Sequence, residues 1–281
     1  MNDFGSVRTE QGLFIVRCSL FITMIGVFDS GIGGLTVVRA LRKKLPKARI
    51  LYVGDVARMP YGNKSAATVI EYSREIVRYL MSRGCKLIVI ACNTVSAVAA
   101  DSLREEFSVP ILDVISPAVR TAISHGGKIA VLGTRGTIAS GAYQKELPPG
   151  SLALTCPIFV PLAEEGYAGT KEGKAIVAHA LRSLAGKNIS TVILGCTHYP
   201  LLRREIGAAL PKAALIDSSA VALDAAALVK LDPKLANDGK SGLEVVVTDR
   251  TQHFEKLASK IIGSKVKLKV IDLESLSGIR H

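Results

Sequence analysis

The chain has 281 residues, 48% of them apolar, and a formal net charge of +12 at pH 7. It is therefore long enough to bury one large hydrophobic core or two modest ones. Lysine and arginine are scattered along the sequence without a basic arm, tail or basic–aromatic module, which disfavours a nucleic-acid partner. The five cysteines are odd in number and form no Cys-x-x-Cys pair, which disfavours a disulfide framework or a zinc site and favours the reducing cytoplasm.

Residues 1–23 are predicted to be an N-terminal extension, because Met24 immediately precedes the first strand of the regular pattern. The apolar stretch 13–28 raises the question of a signal peptide or a membrane span. Arg17 interrupts this stretch and no small-residue cleavage site follows it, so we predict no membrane association. An additional edge strand is the alternative for these residues.

Short β-rich runs alternate with helical patterns over the rest of the chain, which is typical of βαβ units around a parallel sheet. The predicted strands are 25–29, 50–54, 87–91, 111–113, 128–132, 152–155, 190–194, 213–216, 243–247 and 267–272. The predicted helices are 33–45, 64–83, 94–107, 174–185, 199–210, 219–230 and 251–262. The strands after residue 240 are predicted to return to the first sheet.

Two separated pairs of segments repeat with one offset. IGVFDS (25–30) resembles IAVLGT (129–134), and ACNT (91–94) resembles GCTH (195–198), both 104 positions apart. One offset that fits two segments predicts a duplicated unit. We therefore predict an α/β fold of two pseudo-symmetric domains, each a mostly parallel sheet flanked by helices, with the active site between them. The predicted domains are 24–116 plus 221–281, and 117–220, with crossing segments near 114–120 and 217–221.

Ligands of open α/β sheets bind beyond the carboxyl ends of strands, and the polar motifs of this chain lie there. Asp29-Ser30 and GIGG (31–34) stand between a strand and a helix, so the glycines can bring backbone N–H groups close to an anion. The spacing is not that of G-x-G-x-x-G, and no Walker lysine follows. A tight strand-to-helix turn is the alternative explanation.

Cys92 and Cys196 each lie at a predicted strand end just before a helix, where free N–H groups and the helix dipole favour a thiolate. A lone cysteine is more often an inert core residue, but polar neighbours recur here at matched positions. Two facing thiols suit racemisation, which removes a proton from one face of a carbon and returns one to the other. Because an ordinary cysteine has a pKa near ~8.5, a carboxylate or imidazole beside each thiol is expected to help. Asp29 and His198 are the candidates.

Four motifs in order resemble those of the cofactor-independent glutamate racemases of the aspartate/glutamate racemase superfamily. They are FDSGIGG (28–34), GDVARMPYG (54–62), ACNT (91–94) and GCTHYP (195–200), within a match from residue 24 to about residue 273. The resemblance implies two pseudo-symmetric α/β domains that enclose free glutamate. It also implies interconversion of L- and D-glutamate with no cofactor, neither pyridoxal phosphate nor a metal.

The resemblance also implies roles for individual residues. Cys92 would deprotonate D-glutamate and Cys196 L-glutamate, each returning the proton in the reverse direction. Asp29 and His198 would tune the thiols, with Glu164 near His198 and the adjacent Glu165 as its alternative. The implied substrate contacts are Ser30, Pro60, Tyr61, Gly62, Asn93, Thr94, Thr134, Thr137 and Thr197. The side-chain carboxylate is placed near the turn 60–62, and hydroxyl and backbone donors are expected to replace an arginine clamp, which the sequence lacks.

The resemblance further implies that D-glutamate feeds peptidoglycan synthesis. Family members are often homodimers, and some are activated by a cell-wall nucleotide precursor. An aspartate racemase of the same superfamily is the nearest alternative, although its second motif usually carries a glutamate where this chain has His198. A non-catalytic α/β protein that binds an anion or a nucleic acid is the alternative from another class.

Overall fold

The computed structural model describes residues 7–8, 14–15, 23–236 and 241–277. The predicted N-terminal extension, residues 1–23, therefore lies almost wholly outside the described residues. Two short strands within it, β1 (Val7–Arg8) and β2 (Phe14–Ile15), pair antiparallel with each other and not with a larger sheet. None of the helices in the described part of the chain combines the length and the apolar character that a membrane span requires.

The other described strands form two parallel sheets. They are β3 (Met24–Asp29), β4 (Arg49–Gly54), β5 (Cys85–Ile90), β6 (Ile111–Leu112), β7 (Lys128–Gly133), β8 (Leu152–Thr155), β9 (Ile189–Gly195), β10 (Ala214–Asp217), β11 (Gly242–Val247) and β12 (Leu268–Val270). The first sheet has the order β12-β11-β4-β3-β5-β6 and the second has the order β10-β9-β7-β8. The predicted α/β class is confirmed, and the strands after residue 240 do return to the first sheet.

Helices cover these sheets and connect their strands. They are α1 (Leu35–Lys44), α2 (Ala66–Ser82), α3 (Asn93–Glu106), α4 (Ile115–His125), α5 (Arg135–Ala139), α6 (Ala142–Glu146), α7 (Phe159–Glu164), α8 (Lys171–Ala180), α9 (Arg203–Ala209), α10 (Val221–Leu231), α11 (Gln252–Ile262) and α12 (Leu273–Ser277). Short 3₁₀ helices lie at Val56–Arg58, Tyr61–Asn63, Arg182–Leu184, Tyr199–Leu202, Ser218–Ala220 and Pro233–Leu235.

The segment 114–120, predicted as a crossing between the domains, contains the beginning of α4, a helix that the sequence prediction lacks. Asp113 starts this helix, because its Oδ1 accepts hydrogen bonds from the N–H groups of Ile115 at 2.7 Å and Ser116 at 3.2 Å. Pro117 in the first turn is compatible with a helix start. Helices α5, α6, α7 and α12 are also missing from the prediction, since helices of five or six residues are too short to show a 3.6-residue period.

The two sheets share a connectivity that supports the predicted duplication. The order β4-β3-β5-β6 of the first sheet is repeated as β8-β7-β9-β10 in the second. The β3–β5 ladder shifts register between Met24 and Ile25, and the β7–β9 ladder shifts between Lys128 and Ile129. Strand pairing alone does not require such an irregularity. Its recurrence at the offset of 104 residues is what one duplicated unit would produce.

The central strands of each sheet are buried on both faces, which explains why they are continuously apolar. In β3, Ile25 and Val27 pack into one hydrophobic cluster and Phe28 into the cluster on the opposite face. Ile129 and Leu132 of β7 likewise belong to clusters on opposite faces. Side chains that bind or react are therefore found where strands end. The division into domains 24–116 plus 221–281 and 117–220 stays a prediction.

Candidate active site

A cavity of about 260 Å³ lies beyond the carboxyl ends of β3, β5, β7 and β9, so that segments of both sheets form its wall. Cys92 follows β5 and occupies the N-cap position of α3, while Cys196 directly follows β9. Both thiols line this one cavity. Its volume is below the ~300–1,000 Å³ of sites for drug-sized ligands and suits a small metabolite.

Most of the predicted site residues line the cavity. They are Ser30, Pro60, Tyr61, Gly62, Cys92, Asn93, Thr94, Thr134, Cys196, Thr197 and His198. Asp29, Thr137 and Glu164 are not part of the lining and lie behind it. Thr137 is completely buried and therefore cannot contact a substrate directly. Its hydroxyl group instead forms hydrogen bonds with the hydroxyl groups of Thr94 and Thr134.

Other lining residues are not among the predicted catalytic residues or substrate contacts. They are Gly31, Met59, Asn63, Arg135, Pro157, Val160 and Pro161. Arg135 stands between two predicted threonines, Thr134 and Thr137, but nothing in the sequence marks an arginine there as part of a cavity. It is exposed at the cavity. The segment 157–161 carries no polar motif, and only its position after β8 could have indicated it.

Cys196 has an imidazole and then a carboxylate behind it. His198 Nδ1 lies 3.9 Å from Cys196 Sγ, and His198 Nε2 lies 2.9 Å from Glu164 Oε1, at an angle outside that of a hydrogen bond. Glu165, the alternative to Glu164, is exposed and makes no such contact. Burial by itself lowers the pKa of His198, but its contacts with Cys196 and Glu164 raise it to about 10. His198 is thus protonated at neutral pH, and its positive charge stabilises negative charge on the neighbouring sulfur.

Cys92 is in a different electrostatic environment. Its Sγ donates a hydrogen bond to Ser30 Oγ at 3.6 Å, and burial followed by the charge of Asp29 raises the pKa of the thiol to about 12. Backbone hydrogen bonds at Val95 and Ser30 lower that pKa by less. Burial and Asp29 thus outweigh the favourable effect of the helix N-terminus on a thiolate, and Cys92 is a protonated thiol at neutral pH. The two sulfurs differ: Cys92 is ready to donate a proton and Cys196 has a cation beside it.

The glycine loop binds a carboxylate of the protein itself. Asp29 is buried, and its Oδ2 accepts hydrogen bonds from the N–H groups of Gly31 at 3.2 Å and Gly34 at 3.1 Å. Thr197 Oγ1 donates to Asp29 Oδ1 at 3.3 Å and so joins the two halves. Burial raises the pKa of Asp29, while the charge of His198 lowers it. Two N–H groups of the loop are therefore already bonded to Asp29 and are not available to an external anion, which disfavours the alternative of an anion-binding loop.

Gly33 lies where the glycine loop meets the segment that follows β9. A Cβ at this position would stand 2.5 Å from Thr197 Oγ1 and 2.7 Å from His198 Nδ1, far inside van der Waals contact. We expect Gly33→Ala to lower the free energy of unfolding by about 1–3 kcal/mol, the range for overpacking. Gly31→Ala is the matched control, because the nearest atom to its Cβ would be Met59 Sδ at 3.7 Å. Thermal denaturation of both variants checks this, and equal melting temperatures would contradict the close packing.

Polar contacts also fix the wall between Cys92 and the second sheet. Asn93 Nδ2 donates to Ser218 Oγ at 2.8 Å, and Asn93 Oδ1 accepts from Tyr143 OH at 2.7 Å. Thr94 Oγ1 lies 3.0 Å from Thr134 Oγ1. The amide nitrogen and the amide oxygen of Asn93 are thus each paired within the protein, which holds the start of α3 in place.

The wall formed by residues 60–62 is held from behind by Asp55, which the sequence prediction did not include. Tyr61 OH donates to Asp55 Oδ2, and Arg58 Nε donates to the same oxygen at 2.6 Å. Thr248 Oγ1 donates to Asp55 Oδ1 at 2.8 Å. Burial, followed by the charge of Asp55, raises the pKa of Tyr61. Tyr61 therefore stays a neutral donor, and its orientation is set by a buried carboxylate.

Among the described residues, no group of three or more histidine, cysteine, aspartate or glutamate side chains is arranged to hold a metal ion. Polar groups on the cavity wall are mainly hydroxyls, thiols and the His198 imidazole. The arrangement can therefore hold a small polar molecule and exchange protons with it at two sulfurs.

Comparison with known proteins agrees with this geometry. The model of the Asp/Glu/hydantoin racemase family matches residues 35–226. The chain belongs to this family. It is 43% identical over 251 residues to the glutamate racemase of Aquifex aeolicus, which covers 88% of this chain and 96% of that protein. The resemblance drawn from the four motifs is thereby confirmed.

Solved structures of family members show the same fold. Francisella tularensis glutamate racemase in complex with D-glutamate has a TM-score of 0.83 at 34% identity, covering 90% of this chain and 98% of that chain. Escherichia coli glutamate racemase in complex with L-glutamate and the activator UDP-MurNAc-Ala has a TM-score of 0.72 at 30% identity, covering 89% and 98%. Picrophilus torridus aspartate racemase has a TM-score of 0.51 at 18% identity, covering 73% and 94%, a likeness that concerns the fold alone.

Proposed function

We propose that this chain interconverts L- and D-glutamate by proton transfer between the substrate Cα and two cysteines on its opposite faces. The observation that carries the proposal is that Cys92 and Cys196 line one small cavity from equivalent ends of duplicated strands. The glutamate racemases to which the chain is 40–43% identical over about nine-tenths of its length support the substrate.

The proposed reaction uses the electrostatic difference between the two sulfurs. From L- to D-glutamate, the Cys196 thiolate takes the Cα proton, and the electron pair left on Cα then takes a proton from the Cys92 thiol on the other face. Cys196 ends as a thiol and Cys92 as a thiolate, so the reverse reaction can start at once. His198 and Glu164 support the charge of Cys196, and Asp29 with Ser30 adjoins Cys92. The proposal needs no pyridoxal phosphate and no metal.

Substrate contacts are proposed for the predicted residues that line the cavity. They are Ser30, Pro60, Tyr61, Gly62, Asn93, Thr94, Thr134 and Thr197, with Thr137 acting through the threonines in front of it. The side-chain carboxylate is placed beside residues 60–62, and Arg135 also lines this cavity. A Cβ on Gly136 would lie 3.1 Å from the Gly62 carbonyl oxygen, which shows how closely α5 approaches that turn.

Several wider predictions belong to the same proposal. We propose that the D-glutamate supplies peptidoglycan synthesis, that the chain forms a homodimer, and that a cell-wall nucleotide precursor activates it. The Escherichia coli relative solved with UDP-MurNAc-Ala supports the last of these. A cytoplasmic location is proposed because four buried cysteines of the described chain are free thiols, which a reducing compartment preserves.

Turnover of purified protein tests the function. We expect L-glutamate and D-glutamate to be converted into each other without an added cofactor, and aspartate to be converted far more slowly. Chiral chromatography of both amino acids after incubation measures this, with heat-denatured protein as the control. Turnover of aspartate alone would replace the proposal by aspartate racemisation, and no turnover of either would favour a non-catalytic binding protein.

A further inference from the structure

A histidine of the first half contacts the carboxylate-bearing helix of the second half. His253, near the start of α11, donates a hydrogen bond from Nε2 to the backbone carbonyl oxygen of Glu164, 2.5 Å away. Glu164 is the last residue of α7. Carbonyl groups in the last turn of a helix lack intrahelical partners, so His253 caps α7 from across the molecule.

This contact is the outer end of a chain of polar groups that leads to Cys196. The Glu164 carboxylate lies 2.9 Å from His198 Nε2, and His198 Nδ1 lies 3.9 Å from Cys196 Sγ. Glu164 Oε1 and His198 Nε2 are buried without a hydrogen-bond partner among the described residues. Their ion pair therefore depends on where α7 places the Glu164 backbone.

The element that carries His253 is firmly anchored in the first half. Leu257, Ala258 and Ile261 of α11 are buried in a core cluster of the first sheet. Thr251 caps the helix by accepting from the N–H group of Phe254 at 3.2 Å. Within the described residues, the second sheet has no counterpart of the unit 242–277. The two thiols are matched by the duplication, whereas this contact exists on the Cys196 side only.

We propose that His253 is a positioning residue that holds Glu164, and through it His198, in place behind Cys196. The proposal rests on the proposed racemisation. It makes that reaction depend on His253, an exposed residue that does not line the cavity. It also gives a role to the unmatched C-terminal unit, which fixes one base of a pseudo-symmetric pair.

Three variants test the proposal. His253→Ala removes the donor, and we expect kcat/KM for glutamate to fall roughly threefold to tenfold, as for the loss of one hydrogen bond. His253→Gln keeps an N–H donor at a similar distance from the backbone and is expected to restore most of the activity. Lys256→Ala, an exposed substitution on the same helix, is the control and is expected to match the wild type.

A second readout separates positioning from general destabilisation. Enantiomers have equal free energies, so kcat/KM must fall equally in both directions. Primary isotope effects on kcat/KM need not change equally. A less well-supported Cys196 makes proton removal from L-glutamate more rate-limiting. His253→Ala should therefore raise the primary isotope effect on kcat/KM for Cα-deuterated L-glutamate but not for Cα-deuterated D-glutamate. Isotope effects that change equally, or unchanged kinetics in His253→Ala, would overturn the proposal. An inactive wild type would instead refute the proposed function.

Discussion

Replacing either Cys92 or Cys196 with serine is expected to abolish racemisation in both directions. Serine keeps the size of the side chain but is a far weaker acid than a thiol, so it cannot act as a base at neutral pH. Loss of one acid–base group costs roughly 10²–10⁴-fold in rate. Because the reaction in each direction needs both sulfurs, one as base and one as acid, neither variant should retain one direction only. Racemisation rates from both enantiomers of glutamate measure this.

Cys85 offers a matched control for these variants. Cys85 is the first residue of β5, and Cys92 follows the other end of the same strand. Cys85 is buried in the core of the first sheet. Burial raises the pKa of Cys85 to about 12, close to that of Cys92, so burial and pKa do not distinguish the two. We expect Cys85→Ser to lower the stability and to keep the racemase activity. Activity that survives in Cys92→Ser or Cys196→Ser at the level of Cys85→Ser would refute the assignment of the bases.

His198→Asn is expected to lower kcat by roughly 10²-fold or more, because it removes the cation beside Cys196. The same substitution should change how stability depends on pH. The pKa of His198 is raised from 6.5 to about 10, so the native protein keeps a proton that the unfolded chain releases between these values. This stabilisation is fully present below pH 6.5 and is lost as the pH rises to 10. The wild-type free energy of unfolding should therefore fall over this window.

Urea denaturation at several pH values checks the second part of this prediction. His198→Asn should be less stable than the wild type near pH 6 and approach it near pH 10. The exposed His125→Asn is the control for the loss of a histidine outside the cavity. Cys196, Glu164 and Asp29 also face His198. The difference in the free energy of unfolding between the wild type and His198→Asn therefore includes the interactions of His198 with these three residues. Parallel curves for wild type and His198→Asn would contradict a protonated His198.

The strands and the duplication could be predicted from the sequence because both depend on local pattern. Strands buried on both faces, such as β3, are short continuous apolar runs, and a repeat at one offset needs no knowledge of packing. Helices α5 to α7 could not be predicted in this way, since each has only five or six residues. Their positions are fixed by tertiary contacts, for example by the His253 contact at the end of α7.

The site could be predicted where it consists of motifs and not where it depends on burial. Cys92 shows the limit: a helix N-terminus favours a thiolate, yet burial and Asp29 outweigh it, and no sequence pattern gives their balance. Asp55 illustrates another limit, since it lies within a quoted motif but acts on Tyr61 only after the chain has folded. Arg135 escaped prediction because nothing marks an exposed arginine as part of a cavity.

Hydrogen exchange at Cα during the first turnovers tests the two-thiol account most directly. Each enantiomer of glutamate is incubated with the wild-type protein in D₂O, and mass spectrometry after chiral separation measures deuterium in substrate and product. The account predicts that newly formed product carries one deuterium while the remaining substrate stays protiated, because separate sulfurs remove and return the proton. Early deuterium in the remaining substrate, or product that keeps the original proton, would show a single base and contradict it.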